Sequence, residues 1–199
     1  MSNQLNKEYW NLRYLNQQTA WDIGFPSPPI VKWFDKQKNL DLKILVPGAG
    51  SGHEVIYAFN KGFKHIYYMD FAIDAVESFK KKCPNFPKNQ ILTEDFFSLR
   101  VKNYFDIIIE QTFFCAQNPN KRKNYVIKTH ELLKLNGRLI GLLFDFEFDK
   151  EGPPFGGRRK EYQRLFNKKF KMLEMCTSNL SIIPRKGVEL WIDFLKNEN

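Results

Sequence analysis

Cysteine and histidine, the residues that build disulfide frameworks and most zinc sites, are scarce in this sequence. The 199 residues include 3 Cys and 3 His, and they do not occur at the spacing of a zinc ligand set. The odd number and wide separation of Cys83, Cys115 and Cys176 predict no disulfide framework. Because free thiols are typical of a reducing compartment, we expect a cytoplasmic protein that binds no metal.

Long apolar runs are absent as well. A membrane-spanning helix needs about 20 predominantly apolar residues, and no run in this sequence approaches that length. The first residues, MSNQL, also lack the charged-then-apolar pattern of a signal peptide. We therefore expect no membrane partner. The length of 199 residues predicts one domain over residues 1–199.

Acidic residues are outnumbered by basic ones, 22 against 31, which gives a formal net charge of +9. A basic surface attracts phosphate, so a nucleic-acid-associated binding protein is one alternative. The basic residues form short, separated groups at residues 80–82, 121–123, 158–160 and 168–169. No nucleic-acid-binding module accompanies them. This distribution favours solvated surface charge over nucleic-acid binding.

Helices and strands are predicted to alternate along most of the chain. Apolar periodicity predicts helices over residues 7–15, from 28 onward, 53–60, 73–82, 120–135 and about 158–167. Short apolar runs predict strands over residues 43–46, 65–69, 90–93, 104–110, 138–144, 171–178 and 188–194. Ser27 is predicted to cap the second helix, and Asn136 and Gly137 to end the fifth. The alternation predicts an α/β fold with a doubly wound, mostly parallel sheet, whose ligands bind at the carboxyl ends of the strands.

A glycine-rich turn follows the first predicted strand. Its sequence is Pro-Gly-Ala-Gly-Ser-Gly, over residues 47–52, and glycine lets a ligand approach the backbone closely. Asp70, at the end of the next strand, is placed to accept both hydroxyls of a ribose. A dinucleotide-binding turn would have glycine at the position of His53. A nucleoside ligand without a pyrophosphate is therefore favoured, and a nucleotide-cofactor oxidoreductase remains the less favoured alternative.

Several motifs together resemble the thiopurine S-methyltransferase superfamily, and within it the halide/thiol methyltransferases of plants. They are ILVPGAGSGHE over residues 44–54, TAWDIG over 19–24, FDIIIEQTFFCA over 105–116, GPPF over 152–155 and IPRKG over 183–187. The resemblance implies a Rossmann-like sheet of seven strands with the last strand antiparallel. It also implies an N-terminal lid segment over residues 1–36 and a core over residues 40–199.

The resemblance further implies that S-adenosylmethionine is the cofactor and assigns the residues that bind it. The cofactor-binding set is Trp10, Tyr14 and Trp21 in the lid, Gly48 and Gly50 in the turn, Asp70 for the ribose, Asp95 and Phe96 for the adenine, and Gln111 near the methionine part. The substrate-binding set is Phe114, Cys115, Phe155 and Arg185. Three positions depart from the plant pattern, because Tyr14 replaces Trp, Gln111 replaces an aromatic residue and Phe155 replaces Tyr. These departures bear on substrate preference.

The expected reaction is transfer of a methyl group to a small soft nucleophile by direct in-line displacement. An acceptor that is already an anion needs little acid–base help, so alignment and exclusion of water suffice. No residue is predicted to act as a catalytic acid or base. Thiol, thiopurine, halide and thiocyanate acceptors all remain open, and we expect a monomer.

Overall fold

A computed structural model describes residues 5–149 and 152–198. The first four residues of the predicted lid segment and residues 150, 151 and 199 of the predicted core lie outside the described residues. The helices are α1 (Lys7–Leu15), α2 (Pro28–Lys36), α3 (His53–Asn60), α4 (Ile73–Lys82), α5 (Arg122–Leu132) and α6 (Arg159–Phe166). The strands are β1 (Lys43–Pro47), β2 (His65–Met69), β3 (Ile91–Leu92), β4 (Phe105–Glu110), β5 (Leu133–Phe144), β6 (Phe170–Thr177) and β7 (Glu189–Lys196).

The seven strands form one sheet in the order β3-β2-β1-β4-β5-β7-β6. Strand β1 pairs in parallel with both β2 and β4, whereas β7 runs antiparallel to β5 and β6. The prediction of a mostly parallel sheet with an antiparallel last strand is therefore confirmed. The chain moves outward from β1 to β3 and then returns to β4 on the other side of β1. This reversal opens a crevice outside the carboxyl ends of β1 and β4.

Helices cover both faces of the sheet, and each face has its own buried core. One core joins α2, α3 and α4 to the sheet and includes Phe34, Val55, Phe79, Ile44 and Ile109. The other joins α5 and α6 to the opposite face and includes Tyr125, Phe166, Leu45, Ile108 and Leu143. Neighbouring residues of β1 belong to different cores because side chains alternate across a strand. Within the described stretches, no helix is long and apolar enough to cross a membrane.

The predicted helix over residues 120–135 is wrong at its carboxyl end. Helix α5 ends at Leu132, and β5 begins at Leu133, which is fully buried and pairs with Phe105 of β4. Lys134 Nζ also donates to the carboxylate of Asp106 at 2.7 Å. Pairing with the sheet therefore outweighs helical periodicity here. Asn136, with a φ of +62°, lies within the strand and does not end the helix.

The predicted cap of α2 is also wrong in its chemistry. Ser27 does precede the helix, but within the described residues its side chain makes no capping hydrogen bond. Its backbone N–H instead donates to Oε1 of Glu54, at 2.9 Å, in the first turn of α3. Glu54 is almost fully buried, and burial raises the pKa of its carboxyl above the usual value. This bond fixes the start of α2 against the helix that follows the glycine turn.

Candidate active site

A cavity of about 460 Å³ lies between the N-terminal helix and the carboxyl ends of the central strands. We call its two sides the turn wall and the loop wall. The turn wall consists of Gly48, Asp70 and Phe71 together with Trp10, Tyr14 and Trp21. The loop wall consists of Cys115, Phe144, Phe146, Phe148, Pro153, Pro154, Pro184, Arg185 and Val188. The cavity is within the size range of small-molecule sites.

The glycine turn approaches its neighbours so closely that side chains are excluded at all three glycines, two of which, Gly48 and Gly50, border the cavity or the adjoining gap. Gly48 has a φ of +58°, and a Cβ atom there would lie 2.3 Å from the ring of Phe113. Gly50 has a φ of +52°, and a Cβ atom there would lie 2.6 Å from the hydroxyl of Tyr14. Both the left-handed backbone and the lack of space require glycine. The turn therefore leaves bare backbone facing the cavity at Gly48.

Asp70 is held at the edge of this turn by backbone hydrogen bonds. Its Oδ2 accepts from the N–H of Gly50 at 3.0 Å, and its Oδ1 accepts from the N–H of Ala72 at 2.9 Å. The side chain is nearly buried, and burial raises the pKa of its carboxyl to about 6. Each oxygen keeps a free lone pair, so the carboxylate can still accept hydrogen bonds from a ligand in the cavity.

Three aromatic rings of the lid close the turn wall. Asn6 caps α1 by accepting a hydrogen bond from the N–H of Tyr9 at 2.9 Å, and the helix carries Trp10 and Tyr14 toward the cavity. The centroid of the Trp21 ring lies 5.4 Å from that of Trp10 and 5.8 Å from that of Tyr14, with the rings edge to face. Burial, and secondarily Asp70, raise the pKa of Tyr14, so its hydroxyl stays protonated.

Among its described residues the loop wall is apolar except for Arg185, and Arg13 of α1 is a second cation in the lining of the cavity. The guanidinium of Arg185 lies 5.9 Å from the ring centroid of Phe144 and donates through Nη2 to the carbonyl of Trp21 at 2.8 Å. Its Nη1 lies 3.5 Å from the buried carboxylate of Glu189. Burial raises the pKa of Cys115, whose thiol donates to the carbonyl of Thr112 at 3.3 Å. Cys115 is therefore a neutral wall residue and not a nucleophile.

The buried carboxylate of Glu110 organises the floor between the walls, and sequence reasoning missed it. Its Oε1 accepts from the N–H groups of Phe113 and Phe114, at 2.8 and 2.7 Å, and its Oε2 accepts from the hydroxyl of Tyr125 at 2.5 Å. Burial raises the pKa of Glu110 to about 7. The signal in the sequence is an acidic residue that directly follows three isoleucines at the end of β4.

The sequence profile of the thiopurine S-methyltransferase family matches residues 5–189. The chain belongs to this family. It is 33% identical over 184 residues to a probable thiol methyltransferase 2 of Arabidopsis thaliana, covering 90% of this chain and 81% of that protein. It is 31% identical, with the same coverage, to thiocyanate methyltransferase 1 of Brassica oleracea. A thiopurine S-methyltransferase of Vibrio atlanticus is 22% identical, covering 81% of each chain.

Solved structures agree with the fold of this family member. The 1,6-didemethyltoxoflavin-N1-methyltransferase of Burkholderia thailandensis superposes with a TM-score of 0.77 at 16% identity, covering 98% of this chain and 88% of that one. Magnesium protoporphyrin IX methyltransferase from Synechocystis superposes with a TM-score of 0.67, also at 16% identity, covering 99% of this chain and 86% of that one. The former holds S-adenosylhomocysteine and the latter S-adenosylmethionine. The fold is that of a Rossmann-like methyltransferase, and family membership makes the chain an S-adenosylmethionine-dependent methyltransferase of small molecules.

The structure brings seven of the predicted site residues of this methyltransferase to one cavity. They are Trp10, Tyr14, Trp21, Gly48, Asp70, Cys115 and Arg185. Gly50 lies directly behind the hydroxyl of Tyr14. Gln111 lines an adjoining gap of about 40 Å³ between the glycine turn and the lid. Whether these residues bind ligand stays a prediction, but their convergence is a fact of the fold.

The other predicted site residues lie outside the described cavity wall. Asp95 is exposed, and its carboxylate accepts from the N–H of Phe97 at 2.8 Å, so it shapes a turn. Phe96 is buried behind Phe113, with ring centroids 5.3 Å apart. Phe114 is 1% exposed and packs in the core. Phe155 contributes its backbone, because its N–H donates to the carbonyl of Cys115 at 2.6 Å.

One buried oxygen without a hydrogen-bond partner suits the binding of S-adenosylmethionine. Gln111 Oε1 is buried without a hydrogen-bond partner among the described residues, and a buried acceptor of this kind lacks a donor that a ligand can supply. The gap that Gln111 lines also borders Gly48 and Gly50. Among residues 5–149 and 152–198, no three His, Cys, Asp or Glu side chains are grouped as a metal site would require.

Proposed function

We propose that this enzyme methylates a thiol or a soft inorganic anion and that its cofactor occupies the turn wall. The observation that carries the proposal is a cavity in which bare backbone at Gly48, the carboxylate of Asp70 and the lid aromatics face the mainly apolar loop wall with Arg185. The first wall suits a nucleoside with a cationic centre, and the second suits a poorly hydrated anion. Both reactants would then share one enclosed space.

The proposed cofactor contacts follow from the chemistry of the turn wall. Asp70 would accept hydrogen bonds from the ribose hydroxyls, and Gly48 would let the methionine part lie against the backbone. The rings of Trp10 and Trp21 would face the sulfonium, whose charge is attracted to aromatic faces. Gln111 Oε1 would accept a hydrogen bond from the α-ammonium group. Asp95 and Phe96 remain the adenine contacts implied by the family resemblance alone.

The proposed role of the chain in methyl transfer is alignment and exclusion of water. S-adenosylmethionine supplies a methyl group on a sulfonium, which is already activated toward a nucleophile. Arg185 would attract an anionic acceptor to the loop wall and hold it opposite the turn wall. The surrounding rings, including Phe144 and Phe146, would keep water from the acceptor. The acceptor would react as its anion, which for a thiol is the thiolate formed in solution; its bond to the methyl group forms as the sulfonium–methyl bond breaks and neutral S-adenosylhomocysteine leaves. Because no proton is removed in this step, no general base is proposed.

The acceptor is best identified by measuring release of S-adenosylhomocysteine with a panel of candidates. The relatives are described as acting on thiols, thiocyanate and thiopurines, so the panel contains hydrosulfide, small organic thiols, thiocyanate, iodide and a thiopurine. The wild type should release product with at least one of them, and Asp70→Ala should abolish that signal. Asp41→Asn, which removes an exposed carboxylate paired with Lys64, is the matched control. No turnover with any acceptor, despite cofactor binding, would contradict the proposed acceptor class.

No observation favours either alternative, a nucleic-acid-associated binding protein or a nucleotide-cofactor oxidoreductase. His53, which takes the place of the third glycine of a dinucleotide site, contacts Asp22 of the lid at 2.8 Å. We keep a cytoplasmic location and a monomeric state as proposals, to be checked by fractionation and light scattering. The glycine turn is explained by family membership and gives no support to a nucleic-acid partner. Binding to duplex DNA at moderate salt would instead support the nucleic-acid-associated alternative.

A further inference from the structure

One dipeptide of the lid, Trp21–Asp22, is fastened on both sides of the cavity. On the side of the glycine turn, the Asp22 carboxylate accepts from the Ser51 hydroxyl and lies 2.8 Å from Nε2 of His53. On the other side, the Trp21 carbonyl accepts from Arg185 of the loop wall at 2.8 Å. The ring of Trp21 lies between these two attachments, in the wall of the cavity.

The Asp22 attachment is less exposed than an ordinary surface ion pair. Both partner side chains, Asp22 and His53, are only 21% exposed, and exposure is what makes most surface pairs weak. The N–H of Gly24 adds a further hydrogen bond at 2.8 Å to the same carboxylate. Hydrogen bonds from His53, and then from Ser51 and Gly24, hold the pKa of Asp22 well below its usual range. The carboxylate is therefore ionised at any ordinary pH, and its hydrogen bonds are charge-assisted.

The attachment adjoins the proposed methionine-binding gap. That gap of about 40 Å³ is bordered by Asp22, Ser51 and His53 on one side and by Gly48 and Gln111 on the other. Trp21 lines both this gap and the main cavity, so displacement of Trp21 would open both to solvent. The hydrogen bonds of Asp22 to Ser51 and His53 oppose that displacement.

We propose that Asp22 is a positioning residue, whose carboxylate clasps the lid to the glycine turn and thereby retains the cofactor beneath Trp21. The inference rests on the proposed cofactor site. It assigns Asp22, Ser51 and His53 to cofactor retention. None of these three side chains is proposed to contact the cofactor itself. The clasp acts mainly on the rate at which the cofactor leaves, because it closes the exit rather than contacting the reacting atoms.

The test measures S-adenosylhomocysteine binding to the full chain by calorimetry and its dissociation rate by stopped-flow tryptophan fluorescence. Asp22→Asn should raise the Kd about tenfold, chiefly through faster dissociation, as expected for losing one charge-assisted bond. The KM for S-adenosylmethionine should rise more than kcat falls. Asp35→Asn is the matched control, because Asp35 also accepts from two side chains, Tyr57 and Lys61, but lies away from the cavity. The control should leave binding unchanged.

Two milder variants guard against loss of folding. Ser51→Ala and His53→Gln should each raise the dissociation rate severalfold, and their effects should not add to that of Asp22→Asn because all three remove one clasp. The proposed clasp would be overturned if the wild type binds S-adenosylhomocysteine and all three variants release it at a rate within twofold of the wild-type rate. Failure of the wild type itself to bind S-adenosylhomocysteine would instead overturn the proposed cofactor site.

Discussion

The turn wall and the loop wall of the cavity are built in different ways. Apart from the three rings of the lid, the turn wall is made from one strand–turn–helix unit and the end of the neighbouring strand, where a backbone hydrogen bond from Gly50 to Asp70 measures 3.0 Å. The loop wall is assembled from segments around residues 115, 144–148, 153–154 and 184–188. Local backbone geometry therefore determines the strand-end part of the turn wall, whereas long-range packing determines the loop wall and the position of the lid. Local backbone geometry of this kind suits a cofactor that is the same throughout a family, whereas a wall made of loops suits an acceptor that differs between family members.

The largest expected effect is on the turn wall, at Asp70. Asp70→Ala should weaken S-adenosylhomocysteine binding about 100-fold, because two hydrogen bonds to a charged acceptor are lost. Calorimetry at pH 8 measures this directly. Binding within threefold of the wild type would show that the ribose lies elsewhere and would remove the distinction between the walls.

The next effect concerns the close approach at Gly48. Gly48→Ala should weaken cofactor binding on the order of thirtyfold, since a Cβ there would lie 2.3 Å from Phe113 at a φ of +58° and strain of this kind costs about 2 kcal/mol. Gly62→Ala is the control, because Gly62 has a φ of +91° but its nearest neighbour to a Cβ lies 3.6 Å away. Fluorescence titration of both variants should separate the two. Equal losses of affinity would mean that backbone strain alone is responsible.

A pH dependence should sharpen the assignment of Asp70. Its pKa of about 6 in the free protein means that the carboxylate is mostly protonated at pH 5, so the Kd for S-adenosylhomocysteine should be about tenfold higher at pH 5 than at pH 8. Asp70→Asn should bind weakly with little pH dependence. A steep dependence that persists in Asp70→Asn would point to another group.

The raised pKa of Asp70 also predicts that the stability of the cofactor-free protein decreases as the pH rises, whereas its affinity for S-adenosylhomocysteine increases. A carboxyl whose pKa is raised from 3.8 to about 6 on folding stabilises the fold fully only below pH 3.8. That contribution is lost as the pH rises through about 6, because the unfolded chain releases its proton earlier. Urea unfolding of the wild type should show this decline, and Asp70→Asn should show a smaller one, because Glu110, whose pKa is raised to about 7, contributes to the decline in both proteins.

The smallest expected effect is on the loop wall. Arg185→Gln should raise the KM of an anionic acceptor about fivefold, because the wall loses its cation, while the cofactor Kd should change by less. Lys186→Gln, the exposed neighbouring cation, should change neither. A larger effect on the cofactor than on the acceptor would show that the bond from Arg185 to the Trp21 carbonyl outweighs its charge.

The sequence predicted local elements better than distant contacts. The bounds of α1, α3, α4 and β2 were predicted to the residue, because each is fixed by its own periodicity and end signals. Helix α5 was predicted too long because the competing partner of Leu133 is Phe105, on another strand. Phe114 was assigned to the substrate for its aromatic type, whereas packing against Tyr125 and Tyr162 places it in the core.

By itself, the sequence determined the sheet, the glycine turn and the position of Asp70 at a strand end. These depend on residues close together in the chain or on the fixed handedness of strand–helix–strand units. Only the tertiary structure decided that Glu110 anchors the turn after β4, that Asp22 meets His53 across 31 positions, and that Arg185 reaches the lid. Such contacts depend on how separate segments pack, and no local pattern encodes the distance between them.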